Sequence, residues 1–365
     1  MPMPICVMRA PCPGEIYFAT GCKICIHGRG VVQARLQGLQ GATMDISGND
    51  FVIIGRAGMD FYADPPGTRT EEASGFSACL GGSSANIGVA ITRHGGRATL
   101  VTCVSDDAIG RFCLNQLDHY GVDRRHVRSV GGEARNSLAV IETRAEDCQS
   151  VIYRNGAADF QMSVADVEAV NYAAYTALIT TGTVLAAQPS RDAAFRAFEL
   201  ARAAGLPLIF DVDYRPYSWV SAQDAADTYS RAGSLCDVII GNDVEFGFMA
   251  GDYALGLSKA RELARLSAKI VIYKMGEAGA ITITPEEEFR TGIYPVQALK
   301  PTGAGDSFMG GFIAALAAGH GLRDAVLRGS ACASIVVSRV GCAPAMPSPQ
   351  ELTDFLASHP GPTTP

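Results

Sequence analysis

Several familiar signals are missing from this chain of 365 residues. No Gly-x-x-x-x-Gly-Lys-Ser/Thr run occurs, which excludes the P-loop cradle for nucleotide phosphates. No Gly-x-Gly-x-x-Gly follows a predicted strand, so the dinucleotide fingerprint is absent as well. No apolar run reaches the ~20 residues that cross a bilayer, and no compact apolar stretch follows a basic start, which argues against a secretory signal. Charge is moderate: 18% of residues are charged, the net charge is −7, and no Lys/Arg-rich cluster appears. That balance excludes a nucleic-acid surface and, with 48% apolar residues, disorder for most of the chain. Eleven cysteines, odd in number and scattered, fit a reducing cytoplasm better than a disulfide framework.

Residues 1–43 stand apart from the rest. They hold Cys6, Cys12, Cys22 and Cys25 with several prolines and glycines and no sustained period. Cys22-Lys23-Ile24-Cys25 has zinc-ligand spacing, but no second tight Cys/His pair accompanies it, so a metal site is not expected. The segment is read as an unassigned extension, with translation of the natural protein starting at Met44.

What is present from residue 44 to 355 is strand–helix alternation without an internal repeat or a linker. Strands are predicted at Phe51–Gly55, Ala98–Val104, Ala177–Thr180, Leu208–Asp211, Val238–Ile240, Ile270–Tyr273 and Ala280–Thr284. Helices are predicted at Gly110–Tyr120, Arg191–Ala203, Ser258–Leu266, Phe308–Ala318 and Leu322–Val337. The pattern predicts an α/β fold with a doubly wound, mostly parallel sheet. Strands near 60–80 and 134–157 break the alternation and read as a small β appendage.

The chemistry centres on Lys300-Pro301-Thr302-Gly303-Ala304-Gly305-Asp306-Ser307, a glycine turn opening a helix. Free N–H groups and a positive dipole end make such a turn an anion site, and Asp306 beside it could take a proton from an attacking hydroxyl. The same pattern also describes an aspartate capping a helix. Gly81-Gly82-Ser83-Ser84-Ala85-Asn86 is a second glycine turn into a helix; Asn86 is either a sugar-hydroxyl ligand or a polar residue at a helix start. Arg56 and Asp60 follow the first strand, where parallel sheets bind ligands; the plainer readings are a surface charge and a turn residue. Arg154 and Arg215 also follow strands, and either form structural salt bridges or converge on an acidic substrate. Asn242-Asp243-Val244-Glu245 could order water around magnesium, or cap a helix. Gly305-Asp306-Ser307 also matches the Gly-Asp-Ser of some serine esterases. Only His320 and His359 follow it, so the base and its orienting partner are missing and a hydrolase is set aside.

Taken together, these motifs resemble the ribokinase-like carbohydrate kinases, the PfkB family. Gly81–Asn86 and Gly303–Asp306 match its two signatures, with Asn242-x-x-Glu245 between them. Further residues narrow the resemblance toward kinases of small deoxy keto-acid sugars: Gly55-Arg56-Ala57, Pro189-Ser190-Arg191, Asp213-Tyr214-Arg215-Pro216-Tyr217-x-Trp219, Lys300-Pro301-Thr302-Gly303, Gly329–Ser338 and Ala345-Met346-Pro347. The resemblance implies ATP and Mg2+ as cofactors and Asp306 as the base. Gly303, Ala304 and Gly305 would form the anion hole, and Asp60, Gly82 and Asn86 would hold substrate hydroxyls. Arg154 and Arg215 would take the substrate carboxylate, and Asn242 and Glu245 the magnesium-bound water. Lys274, Gly276, Gly279 and Ser330 would line the nucleotide groove. The β appendage would be a lid that excludes water and offers a homodimer contact. Many members have an aspartate that ligates potassium where this chain has Lys300, so little potassium activation is expected. The role of Lys274, where many relatives carry threonine or serine, stays open. A different class, a catalytically silent sugar- or nucleotide-binding protein, would lack the intact Asp306 turn.

Overall fold

In the computed structural model residues 46, 48–144 and 146–363 are described, with the strand backbones β1 (Glu15–Tyr17) and β2 (Lys23–Cys25). The chain divides into two units, Met1–Gly41 and Ala42–Pro365. In the first unit β1 and β2 pair antiparallel. The side chains of Cys22 and Cys25, and Met44, lie outside the described residues.

The second unit is built on a nine-stranded sheet ordered β15-β14-β13-β12-β11-β10-β3-β6-β7. Its strands are β3 (Asp50–Ile54), β6 (Arg97–Ser105), β7 (Asp123–Val130), β10 (Ala177–Thr181), β11 (Leu208–Asp211), β12 (Val238–Asn242), β13 (Ile270–Lys274), β14 (Ala280–Ile283) and β15 (Glu288–Thr291). Pairing is parallel from β7 through β13 and antiparallel at β13–β14 and β14–β15. The central strands are apolar on both faces because helices cover both. Phe51, Ile53, Ile179, Ile209 and Ile240 pack into one core cluster, and Val52, Ile54, Leu178 and Phe210 into the other.

The helices are α1 (Ser83–Arg93), α2 (Ala108–His119), α3 (Val164–Glu168), α4 (Ser190–Ala203), α5 (Ala222–Leu235), α6 (Asp243–Ala250), α7 (Gly256–Leu266), α8 (Ala304–Ala317), α9 (Leu322–Val337) and α10 (Pro349–Ser358). A second sheet, ordered β5-β4-β8-β9, is formed by β4 (Gly58–Asp64), β5 (Gly75–Gly81), β8 (Leu138–Ile141) and β9 (Ser150–Tyr153). This sheet is the β appendage expected from the sequence. Among the described residues no helix is long and apolar enough to cross a membrane.

Pattern reading missed β7 and β15, the two edge strands of this sheet. Asp123-Arg124-Arg125-His126-Val127-Arg128-Ser129-Val130 carries charges on nearly every exposed position because it is a sheet edge, where charge guards the unpaired backbone.

Candidate active site

Two helix N-termini, far apart in sequence, meet at the C-terminal side of the parallel strands. Helices α1 and α8 pack against each other where Gly310 meets Ala90; a Cβ at Gly310 would lie 2.2 Å from the Ala90 Cβ. That close approach brings the first turn of α1 to the first turn of α8. Asn86 Nδ2 there donates to Asp306 Oδ2 at 2.8 Å. Asn86 is not merely a polar helix start: it is buried, and its Oδ1 has no protein partner.

Gly303 stands at the N-cap of α8 with φ +84°, and no side chain caps the helix. The first N–H groups are therefore not claimed by a capping side chain, as an anion site requires. A Cβ at Gly305 would meet only Lys274 Nζ, at 3.4 Å, so the ammonium sits beside this turn with no side chain intervening. Burial, followed by the nearby charge of Asp213, pushes the Asp306 carboxyl up to about 7. Asn86, Arg215 and Lys274 pull in the opposite direction. A carboxyl poised near neutrality is suited to taking a proton at physiological pH.

Asp60 lies on β4 opposite Cys79 of β5 and is buried, with Oδ1 unpartnered. A Cβ at Gly81 would fall 1.9 Å from Asp60 Oδ1, so the first glycine of this turn makes room for the carboxyl. Gly82, the second, is the N-cap of α1. Burial raises Asp60 to about 6, against the charges of Arg56 and Lys300. Lys300 is fully buried; its ammonium donates to the main-chain carbonyls of Thr302 at 2.6 Å and Val336 at 3.4 Å. Burial lowers its pKa, opposed by Cys342, Asp306 and Asp60.

The arginines have different commitments. Arg154 forms a buried ion pair with Asp159 and donates Nη1 to the Thr183 carbonyl at 2.9 Å. Arg215 pairs with Asp213 at 2.7 Å and donates to the Tyr214 carbonyl at 2.9 Å. Asp213 has φ +38°, a left-handed backbone unusual outside glycine, and its Oδ2 is buried and unpartnered. The loop carrying Arg215 is tied down from α4: Arg191 forks onto Asp224 at 3.0 and 2.9 Å and stacks over the Trp219 ring. Arg56, whose plain reading was a surface charge, is 7% exposed and donates Nη1 to Ser137 Oγ at 2.9 Å. Sequence reasoning placed it at the ligand-binding end of its strand but gave it no specific role.

Asn242 and Glu245 form a reciprocal capping box on α6. Asn242 Oδ1 accepts from Glu245 N at 2.9 Å, and Glu245 Oε2 accepts from Asn242 N at 2.7 Å. Glu245 Oε1 accepts from Tyr214 N at 3.2 Å, and burial raises the Glu245 pKa. Asp211, which sequence reasoning also passed over, is buried and pushed upward by burial, with Lys274 opposing and Asp213, Glu245 and Asp306 adding to the shift. Among the described residues no cluster of three or more His, Cys, Asp or Glu forms a direct metal cage. Each Glu245 oxygen accepts one main-chain N–H and keeps a lone pair that can accept from a metal-bound water. Gly276 and Gly279 bracket the turn after β13, and Ser330 is buried on α9. The esterase alternative finds its histidines engaged elsewhere: His320 pairs with Asp324 at 2.7 Å, and His359 stacks on Phe355.

A buried carboxyl raised to about 7 beside an uncapped helix N-terminus is an arrangement suited to phosphoryl transfer. The pfkB family carbohydrate kinase model matches residues 49–349. A 5-dehydro-2-deoxygluconokinase of Photobacterium profundum is 39% identical over 315 residues, covering 85% of this chain and 95% of the relative. Aminoimidazole riboside kinase of Salmonella enterica, solved with aminoimidazole riboside and an ATP analog, superposes with TM-score 0.71 at 25% identity. That match covers 85% of this chain and 100% of the other. An E. coli chain solved with ATP and Mg2+ shares the fold at TM-score 0.76 and 22% identity, covering 85% and 100%. The chain belongs to the pfkB family of carbohydrate kinases, whose members phosphorylate sugars with ATP and magnesium.

Proposed function

We propose that the chain phosphorylates the terminal hydroxyl of 5-dehydro-2-deoxy-D-gluconate, a step of myo-inositol breakdown in the cytoplasm. The observation that carries this reading is the Asp306–Asn86 pair at an uncapped helix N-terminus, with arginines close by. Identity to a relative of that name, 39% over most of the chain, supports the substrate. The kinase domain is assigned to residues 44–355, with 60–80 and 134–157 as the lid.

Asp306 takes the proton of the attacking hydroxyl, and the N–H groups of Gly303, Ala304 and Gly305 receive the charge that develops on the transferring phosphoryl group. Asp60, Gly82 and Asn86 hold substrate hydroxyls, while Arg154 and Arg215 face the carboxylate. Lys274 sits at the phosphates, and Gly276, Gly279 and Ser330 line the nucleotide groove. Asn242 and Glu245 orient the water around magnesium, which when bound neutralises phosphate charge. The lid excludes water so that the nucleotide is not hydrolysed. With Phe76, Val151 and Tyr153 exposed on it, the lid also offers a homodimer contact.

The test is ADP release with Mg-ATP across 5-dehydro-2-deoxygluconate, 2-keto-3-deoxygluconate, fructose and ribose, with Asp306→Asn as control. Preference for the first compound, lost in the variant, supports the assignment. Preference for 2-keto-3-deoxygluconate moves the substrate within the sugar acids. Preference for a neutral sugar overturns the acid pocket.

A further inference from the structure

We infer that Arg56 acts beside Arg154 and Arg215 in selecting an anionic sugar over a neutral one, supplying the charge that is not already matched by a carboxylate of the protein. The inference rests on the sugar-acid reading above and adds a residue to it. Three guanidinium groups, those of Arg56, Arg154 and Arg215, lie close enough to Asp213 and to the Tyr217 hydroxyl to act on both by charge. They differ in what they have left to offer. Arg154 is held by Asp159 and the Thr183 carbonyl, and Arg215 by Asp213 and the Tyr214 carbonyl. Each therefore brings its own counter-ion, and the two pairs together present little net positive charge to a ligand.

Arg56 brings none. Among the described residues no carboxylate lies within ion-pair distance of it, and its one side-chain hydrogen bond goes to the neutral Ser137 Oγ. Its Nε is buried and has no partner, which is equally true of Arg154 Nε, so what sets Arg56 apart is the missing carboxylate. A guanidinium carries five donors in a rigid plane and stays charged at any physiological pH. Burying such a charge is unfavourable unless an anion meets it.

The place is right for a ligand. Arg56 follows β3 at the carboxyl end of a parallel strand, and Asp60, four residues on, is near enough to feel its charge. The backbone of Arg56 is fixed on both sides, its N–H by Ser84 Oγ at 3.2 Å and its carbonyl by Ala85 N at 3.2 Å. The backbone is thus tied to the first turn of α1, which carries Asn86, and the side chain to Ser137, just before the lid strand β8. A planar carboxylate matches the free edge of the guanidinium, whereas a hydroxymethyl group would leave the charge unpaired.

The experiment compares kcat/KM for 5-dehydro-2-deoxygluconate with that for its neutral counterpart, in which the carboxylate is reduced to a hydroxymethyl group. Wild type, Arg56→Gln and Arg56→Lys are measured at saturating Mg-ATP. Arg56→Gln is expected to reduce the acid-over-neutral ratio about 100-fold, mainly through KM for the acid, the scale of removing one partner from a charged hydrogen-bonded pair. Arg56→Lys, which keeps the charge and loses the fork, is expected to recover part of the ratio. A ratio unchanged in a glutamine variant that still binds ATP overturns the role of Arg56 and leaves the sugar-acid reading standing. No acid preference in wild type overturns that reading itself. If the glutamine variant does not fold, the lysine variant decides: its ratio should fall about tenfold, and an unaltered ratio sinks the inference.

Discussion

Asn86 Nδ2 donates to Asp306 Oδ2 at 2.8 Å across a sequence separation of 220 residues. The bond joins the two glycine turns of the chain and stabilises the charged form of Asp306, the proposed base, because an amide N–H favours a carboxylate over its acid. Asp306 nevertheless stays raised to about 7 by burial. Activity should therefore fall as pH drops below about 7, where the base gains its proton. In Asn86→Leu the stabilising bond is gone, so the acidic limb of kcat/KM should move to higher pH. A pH–rate profile of both proteins checks it, and an unmoved limb in an active Asn86→Leu enzyme would count against Asp306 as the titrating group.

The same raised pKa predicts a stability gain on removing the charge. Between the ordinary value of 3.8 and about 7, native Asp306 binds a proton that the unfolded chain does not. Stability must therefore decrease as pH rises through that window. Asp306→Asn should stabilise the ligand-free protein above pH 7, by an amount on the order of 1–3 kcal/mol, with little difference near pH 4. Denaturant unfolding at both pH values reads the difference. Equal stabilities above pH 7 would mean that the carboxylate is better solvated than its burial indicates.

Much of this site is legible in the chain's local patterns. The parallel strands are visible because buried strands under helices are continuous apolar runs, as in Phe51-Val52-Ile53-Ile54. The Gly303–Asp306 turn is visible because only particular residues build an anion-binding helix start. What stays hidden depends on long-range packing. Nothing local to Asn86 reveals that it meets Asp306. The capping-box alternative for Asn242 and Glu245 is realised in the structure, and a carboxylate holding N–H groups can also face water around a metal, so sequence alone could not separate the two. Arg56 looked like a surface charge because its burial comes from the lid sheet, whose strands are drawn from segments about 80 residues apart, with Ser137 supplying the hydrogen bond.

Gly303 is required for two independent reasons. Its φ is +84°, a conformation that costs a side-chain-bearing residue about 1–2 kcal/mol. A Cβ there would also fall 2.8 Å from Cys342 Sγ and 3.2 Å from Val336 Cγ1. Gly303→Ala should shift the Thr302–Gly303–Ala304 backbone and with it the N–H groups proposed to receive the phosphoryl. Expected are a loss of kcat of about 100-fold or more, the scale of removing one preorganised anion-hole donor, and nearly unchanged KM for the sugar. Steady-state kinetics distinguishes this from simple misfolding, which would lower the active fraction without a kcat–KM split on active-site titration.

Lys300 holds its ammonium against two main-chain carbonyls, Thr302 at 2.6 Å and Val336 at 3.4 Å. Carbonyl oxygens of this kind are also what a monovalent cation binds, so the ammonium is proposed to stand in for one. Exchanging sodium for potassium salts at constant ionic strength should therefore leave the rate nearly unchanged. A several-fold rise in potassium would show that the ammonium does not replace the ion.

Arg215 pairs with Asp213 at 2.7 Å, and the partner residue is held in a left-handed backbone with its other oxygen unpartnered. The pair does two things at once. Arg215 keeps Asp213 below the usual carboxylate range even though burial pushes it upward, and it draws Asp306 down as well. Arg215→Ala should thus weaken substrate capture and also raise the pKa of the base. The first effect is expected at about 2–4 kcal/mol of transition-state binding for the sugar acid, the cost of stranding one member of a charged pair. The second should appear as an acidic limb displaced to higher pH, in the direction expected for Asn86→Leu. Measuring kcat/KM against pH for acid and neutral sugars separates them: the loss specific to the acid reports the carboxylate contact, and the displaced limb, common to both substrates, reports the charge on Asp306. Near-normal kcat/KM for the acid would remove Arg215 from the carboxylate site, leaving it as the counter-ion of Asp213 alone.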